Sequence, residues 1–228
     1  MRRIFEAGIA AALTLTSTSA ARAGGADPGP EPSAVETRHY TVTADGSPAG
    51  SARQVYRTGP GGTVEVAHAM ALKLRVFGFT YRYAHEGTER WRGGRLVALT
   101  STTDDNGTAR SLEVARSGST LEATTGRRRW SVPADATTDH FFFAPPADRP
   151  GTLTVIETEQ GEPGRASLTS AGKSKHKLAD GRELDCDRYR ASGGVEADLW
   201  FDAAGRVVRQ ESVQGGKRIV MALTEVER

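Results

Sequence analysis

The most regular pattern of hydrophobic and polar positions lies in residues 63–76. Large, mostly apolar residues occupy the even positions, and small or charged residues occupy the odd ones: Val64, Val66, His68, Met70, Leu72, Leu74 and Val76 against Thr63, Glu65, Ala67, Ala69, Ala71, Lys73 and Arg75. This alternation predicts a β-strand, because successive side chains of a strand point to opposite faces. The phase slips near Gly78, and alternation resumes with Phe79, Tyr81, Tyr83 and His85. We therefore expect one sharply bent strand, or two strands that meet there.

Turn-forming residues recur along most of the remaining chain. Pairs such as Gly-Gly, Asn-Gly and Asp-Gly lie at residues 45–46, 61–62, 93–94, 106–107, 180–181, 193–194 and 215–216. Turns of this kind connect antiparallel strands, and no stretch between them has the 3.6-residue period of a crossover helix. The pattern predicts a mainly β fold. We expect a large curved antiparallel meander, a half-barrel or open barrel of roughly ten to twelve strands with little helix.

One segment, residues 133–151, interrupts this rhythm. It is rich in proline and contains three consecutive aromatic residues, Phe141, Phe142 and Phe143. We expect a short helix or a loop that plugs the sheet, with the three phenylalanines as its apolar anchor.

The N-terminal residues have the features of an export signal. Arg2 and Arg3 precede a short apolar stretch at residues 9–15, and Ala21-Arg22-Ala23 matches an A-x-A cleavage pattern. We predict a signal peptide at residues 1–23, a disordered tail at residues 24–35 and a single β domain at residues 36–228. The expected location is the periplasm or the extracellular medium.

Charge and composition narrow the classes of partner. The chain has 30 basic and 28 acidic residues, and its surplus of two lies entirely within residues 1–23. The predicted mature protein is therefore neutral, which argues against nucleic acid as a partner. No apolar run of membrane-spanning length follows the predicted signal peptide, so we expect no transmembrane segment in the mature chain. A single cysteine, Cys186, excludes a disulfide scaffold.

Several motifs resemble those of a known family. Residues 81–107 combine an aromatic strand, a Glu-x-Trp motif, a Gly-Arg-Leu hairpin and a Thr-x-Asp-Asn-Gly turn, and similar patches lie at residues 138–142, 199–202 and 205–206. Together they resemble an uncharacterised family of bacterial exported proteins over most of residues 36–226. The pattern is also similar to periplasmic lipoprotein carriers, whose curved half-barrel encloses an apolar cavity. This resemblance implies a fold and no assigned activity. The chain departs from the pattern at Phe141, where tryptophan is more usual.

Candidate catalytic and metal-binding residues are sparse. Nucleophile elbows, zinc-protease helices and phosphate-binding glycine loops are absent. The five histidines form no closely spaced pair along the chain, so we predict no metal site and no cofactor. His68 and His85 are interpreted as structural or exposed residues of their strands. Asp139 and His140 are the best polar candidates for catalysis, because they lie in the irregular segment where loops carry function, but the favoured interpretation of His140 is a hydrogen-bonded structural residue.

The apolar face of the predicted sheet suggests a binding function. Val66, Met70, Leu72 and Leu74, together with Trp91 and Leu96, are candidates to line a cavity for a hydrophobic small molecule, lipid or acyl chain. Two alternatives stay open. One is an envelope enzyme that uses Asp139 and His140; the other is a structural envelope protein whose sheet edge pairs with a partner.

Overall fold

The computed structural model describes residues 34–76, 78–145 and 151–228. The predicted signal peptide and most of the predicted tail lie outside the described residues. The described part of the chain forms fifteen strands: β1 (Ala34–Ala44), β2 (Ser47–Thr58), β3 (Thr63–Val76), β4 (Phe79–Arg92), β5 (Arg95–Asp105), β6 (Thr108–Ser117), β7 (Thr120–Thr125), β8 (Arg128–Pro133), β9 (Thr137–Thr138), β10 (Thr152–Ile156), β11 (Pro163–Lys177), β12 (Glu183–Gly193), β13 (Ala197–Phe201), β14 (Val207–Gln214) and β15 (Lys217–Glu227). Ala34 and Val35, predicted to belong to the tail, are already part of β1.

All fifteen strands belong to one sheet, in the order β8-β7-β6-β5-β4-β3-β2-β1-β15-β14-β13-β12-β11-β10-β9. Neighbouring strands pair antiparallel except β9 and β10, which are parallel. The first and last strands, β1 and β15, lie side by side at the centre of the sheet. The predicted mainly β meander is therefore confirmed.

The predicted number of ten to twelve strands is wrong. Turn spacing in the C-terminal part suggested strands of uniform length, but β7 and β8 have six residues each, β10 and β13 have five, and β9 has two. The turn at Gly126 shows why the estimate failed. It joins β7 to β8 beside a run of arginines, of which Arg128 and Arg129 belong to β8, and such a charged run gives no alternating apolar pattern.

The phase slip near Gly78 is a reversal of the chain. β3 and β4 pair antiparallel along their whole length, from Thr63 opposite Arg92 to Val76 opposite Phe79. Gly78 has a φ of +87°, a conformation that glycine adopts without a steric penalty and that a tight hairpin requires. Of the two expectations, two strands that meet at this point is the correct one.

The sheet curves around one main core. Side chains from its two halves pack in the same buried cluster, for example Leu112 and Leu121 from the first half with Leu199 and Phe201 from the second. A flat sheet would keep these residues apart, so their contact requires the sheet to roll up. Within the described ranges, no helix is long and apolar enough to cross a membrane.

The segment between β8 and β10 enters this rolled sheet. Phe141 and Phe142 are buried, and the ring of Phe143 makes an edge contact with Trp91 at 5.4 Å between centroids. The segment also joins the opposite half, because the backbone N–H of Val207 donates to the carbonyl of Phe142. As far as residue 145 it is a plug-like loop with no helix, whereas residues 146–150 of the predicted interruption lie outside the described residues.

An ionic network is buried where β1 begins. The Arg38 guanidinium donates to Glu36 Oε1 at 2.7 Å, to the carbonyl of Val207 at 3.1 Å and to the carboxylate of Asp202. The Tyr40 hydroxyl donates to the same Val207 carbonyl at 2.9 Å. These contacts join β1 to β14, two strands that are not neighbours in the sheet. The network therefore stabilises the curvature of the rolled sheet where β1 begins.

Glu36 makes the network sensitive to acid. Burial alone would raise the pKa of this carboxyl, but hydrogen bonds from Arg228, Arg38 and Arg206 outweigh burial and lower it from 4.5 to about 2. The folded state thus holds the Glu36 proton more weakly than the unfolded chain does. The contribution of Glu36 to stability is present above pH 4.5 and is lost as the pH falls towards 2.

We predict that Glu36→Gln lowers the free energy of unfolding at pH 7 by about 3 kcal/mol and flattens its decline between pH 4.5 and 2. Urea denaturation across this pH range measures both effects. The matched control is Glu227→Gln, because Glu227 has a well-exposed side chain on β15, where it lies opposite Thr37 of β1. A Glu36→Gln protein that keeps the wild-type pH slope would contradict this account.

Candidate functional site

Two histidines face the interior from paired strands. His68 lies on β3 and His85 on β4, and both are buried. The register places His68 opposite Gly87 and Met70 opposite His85, so the two imidazoles are diagonal neighbours on the inner face. Gly87 leaves room for one of them, because a Cβ at this position would lie 2.9 Å from Cε1 of His68. A larger residue there would displace the His68 ring.

A third histidine reaches the same point from the plug-like loop. Nε2 of His140 lies 3.1 Å from Nε2 of His85, and the His140 and His68 rings are 4.2 Å apart between centroids. One ring nitrogen from each of His68, His85 and His140 lies within 4.8 Å of the other two. The Phe142 ring stacks on His140 at 4.8 Å. The three side chains together form the histidine cluster, a set of nitrogen donors that could hold a metal ion.

The carboxylate of Glu89 holds the His140 ring in place. This carboxylate is fully buried on the inner face of β4, and Oε1 lies 2.7 Å from Nδ1 of His140. Oε2 accepts hydrogen bonds from Nε1 of Trp91 at 2.9 Å and from the Thr138 hydroxyl at 3.2 Å. A carboxylate only accepts hydrogen bonds, so Nδ1 of His140 carries a proton and Nε2 faces the other histidines.

Threonine hydroxyls complete the polar surroundings. Thr103 on β5 bonds Nδ1 of His85 at 2.8 Å, which turns Nε2 of that ring towards the cluster. Thr158 lies 3.2 Å from Nε2 of His140, and its hydroxyl donates to Oδ1 of Asp139 at 2.8 Å. The Asp139 carboxylate is thus held by Thr158, and only His140 of the predicted pair belongs to the cluster.

Two of the three imidazoles are neutral at physiological pH. Burial, with the neighbouring His140 as a further cause, lowers the pKa of His85 to about 3. Burial, followed by the charges of His140 and His85, lowers the pKa of His68 well below its ordinary value. Burial also opposes protonation of His140, but its hydrogen bond and ion pair with Glu89 raise its pKa.

A cavity of about 80 Å³ adjoins the cluster. All three histidines line it, together with Asp139 and Phe142. Its other walls are largely apolar and come from strands at the centre of the sheet, with Val42, Ala52, Met70, Leu72, Leu74, Ile219 and Met221 among them. The cavity extends towards the β14–β15 turn, where partly exposed Gln214 and Lys217 line it.

The predicted ligand-binding residues separate into two groups. Met70, Leu72 and Leu74 line the cavity. Val66, Trp91 and Leu96 are buried in the main core and are not among its lining residues. The alternation along β3 identified the inward face correctly. It did not distinguish the inward residues that pack in the main core from those that line the cavity.

Sequence reasoning missed the histidine cluster. The spacing of metal ligands along a chain led to His68 and His85 being interpreted as structural residues. A usable signal was present, since both occupy inward positions of strands joined by the hairpin at Gly78, which makes them near neighbours. No comparable pattern connects His140 to them, because 55 residues separate it from His85.

We predict that Glu89→Ala lowers the free energy of unfolding by about 3 kcal/mol or more, because Trp91, Thr138 and His140 all lose a buried partner. Glu86→Ala, an exposed position on the same strand, is the control and should change stability by less than about 0.5 kcal/mol. Urea denaturation at pH 7 measures both. Equal stabilities of the two variants would show that Glu89 does not hold the loop.

Comparison with known proteins finds a similar fold and a sequence family, both of unknown function. No curated protein matches the chain. Among solved structures, the crystal structure of a beta-barrel-like protein of domain of unknown function DUF1849 from Brucella abortus has a TM-score of 0.60. The similarity covers 85% of this chain and 97% of that one at 6% sequence identity, so it extends to the fold alone.

The chain matches the model of one sequence family. The model of a family described as a domain of unknown function, DUF6134, matches residues 40–224. This match includes all three histidines, Glu89 and the plug-like loop. Since it spans well over half of the chain, the protein belongs to the DUF6134 family.

Proposed function

We propose that this protein is an exported binding protein that holds a small ligand with an apolar body, such as the end of a lipid or acyl chain, in its barrel-like interior. The observation that carries the proposal is the cavity beside the histidine cluster. Most of its wall is apolar, and the histidine cluster with Asp139 adds polar groups on one side, a combination suited to a mainly apolar ligand that carries a polar group.

The size of the cavity supports a binding role. A single water needs about 10–15 Å³ of such space, so a cavity of about 80 Å³ exceeds an ordinary packing void. Native cores fill such space with side chains, because a void lined by apolar groups loses their contacts. A short apolar segment laid along Met70, Leu72 and Leu74 would restore them.

An enzyme built on Asp139 and His140 is less well supported. His140 does lie between a carboxylate, Glu89, and a hydroxyl, Thr158, as the base of a nucleophilic triad would. However, the Thr158 hydroxyl donates its proton to Asp139 rather than to His140, and Thr158 is fully buried. It is therefore neither activated by the histidine nor accessible to a substrate.

The binding proposal predicts that a bulky side chain in the cavity displaces an apolar probe. Leu72→Trp should weaken binding of N-phenyl-1-naphthylamine at least tenfold, because the indole fills the apolar part of the cavity that one ring of the probe would enter. Val213→Trp is the control, since Val213 is exposed on β14 and does not line the cavity. Fluorescence titration measures affinity, and circular dichroism establishes that both variants fold. Unchanged affinity in folded Leu72→Trp would refute binding at this site.

Export is a separate part of the proposal, supported by the pattern of residues 1–23. The full chain expressed in a Gram-negative bacterium should appear in the periplasm or medium with Gly24 as its first residue, as intact mass spectrometry measures. Leu13→Arg interrupts the apolar stretch and should retain the protein in the cytoplasm. A wild-type chain that stays cytoplasmic with its first 23 residues attached would contradict export.

A further inference from the structure

We propose that His68, His85 and His140 bind a divalent transition-metal ion of the Zn²⁺ class, with one coordination position left open towards the cavity. The site would join two strands of the sheet to the plug-like loop. It does not depend on the apolar ligand proposed above, because it rests on different side chains and different contacts.

The geometry of His85 and His140 fits a shared ion. Two imidazoles on a tetrahedral zinc, each with a Zn–N distance of about 2.0–2.1 Å, have nitrogens about 3.3 Å apart. Nε2 of His85 and Nε2 of His140 are 3.1 Å apart. An ion could therefore bind both nitrogens with little movement of either ring.

His68 supplies the observation that a purely structural cluster does not explain. Both of its ring nitrogens are buried, and neither has a hydrogen-bond partner of normal geometry; the backbone of Val66 makes only a marginal contact with the ring. A buried polar group without a partner costs free energy, and native structures rarely keep one without a function. The donor atoms of the cluster lie within 4.8 Å of one another, so His68 would move inward to coordinate the ion, and only the marginal contact with the Val66 backbone opposes that movement.

The outer contacts are those that metal-binding histidines use. Such a histidine usually bonds a carboxylate or another oxygen through its second nitrogen, which fixes the direction of the first. Glu89 does this for His140, and Thr103 does it for His85. In both rings Nδ1 is held from outside, and Nε2 is presented to the common point. Glu89 also places a negative charge behind the site.

The donor set indicates the class of metal. Three imidazole nitrogens without a directly presented carboxylate suit Zn²⁺, Co²⁺, Ni²⁺ or Cu²⁺, whereas Mg²⁺ and Ca²⁺ require mostly oxygen donors. Asp139, which also lines the cavity, is held by the backbone N–H and hydroxyl of Thr158.

A fourth coordination position on the ion would remain open towards the cavity. Three protein ligands leave a tetrahedral ion one position for water or a ligand. Since the three histidines also line the cavity, the open position would be reached from there.

Calorimetry on the EDTA-treated mature chain tests the proposal. Titration with ZnCl₂ should give one ion per chain, and titration with MgCl₂ should give no comparable binding. Replacing zinc by CoCl₂ should produce the visible absorption of four-coordinate cobalt. Each of His68→Ala, His85→Ala and His140→Ala should weaken zinc binding by at least roughly 100-fold, since outer contacts alone account for about 10- to 100-fold.

The controls separate this site from adventitious binding and from misfolding. His39→Ala removes a histidine outside the cluster and should leave zinc affinity unchanged. Thr103→Val keeps all three ligands and should weaken binding about 10-fold through the orientation of His85. If His68→Ala does not fold, His68→Asn takes its place. Absence of stoichiometric zinc binding, or a folded His68 variant with wild-type affinity, would overturn the proposal whatever the naphthylamine titration shows.

Discussion

The contact between Glu89 and His140 is the constraint on which the interior depends. It joins a fully buried carboxylate on β4 to the loop that enters the rolled sheet. Burying a carboxylate is costly, and the cost is offset here because three donors share its two oxygens. Without Glu89, the loop would retain the apolar packing of its phenylalanines but lose the polar contact that sets its position.

That loop also explains how so large a sheet has a core. The sheet alone would leave its inner face open, and the loop covers part of it with Phe141 and Phe142. Its backbone then reaches Val207 in the opposite half. The ionic network around Arg38 also joins β1 to β14, the strand to which Val207 belongs. Curvature is thus fixed by contacts between strands that are distant in the sheet.

The two proposals, an apolar ligand and a metal ion, place two binding functions in neighbouring parts of one interior. Apolar side chains of β3 and β15 leave a cavity, and polar side chains of β3, β4 and the loop lie on one side of it. An interior selected for stability alone would replace these histidines with apolar residues that fill the space. Their presence, with neither ring nitrogen of His68 in a hydrogen bond of normal geometry, is what favours a binding function over a structural one.

The sequence by itself determined the fold class and the inward face of the central strands. Alternation is a local property, so it identified Met70, Leu72 and Leu74 as inward-facing and located a phase slip near Gly78, without deciding between a bent strand and a chain reversal. Local pattern also identified the aromatic loop as an interruption. It did not give the number of strands, because short strands joined by arginine-flanked turns lack a strong periodic pattern.

Only the tertiary structure decided the histidine cluster. His68 and His85 meet through strand register, which a hairpin fixes over short distances, but His140 arrives through a loop that the sequence places far away. The same closure separates Val66, Trp91 and Leu96, which the core fills, from the residues that line the cavity. Alternation determines which face a side chain occupies, whereas the closing of the sheet determines what it meets there.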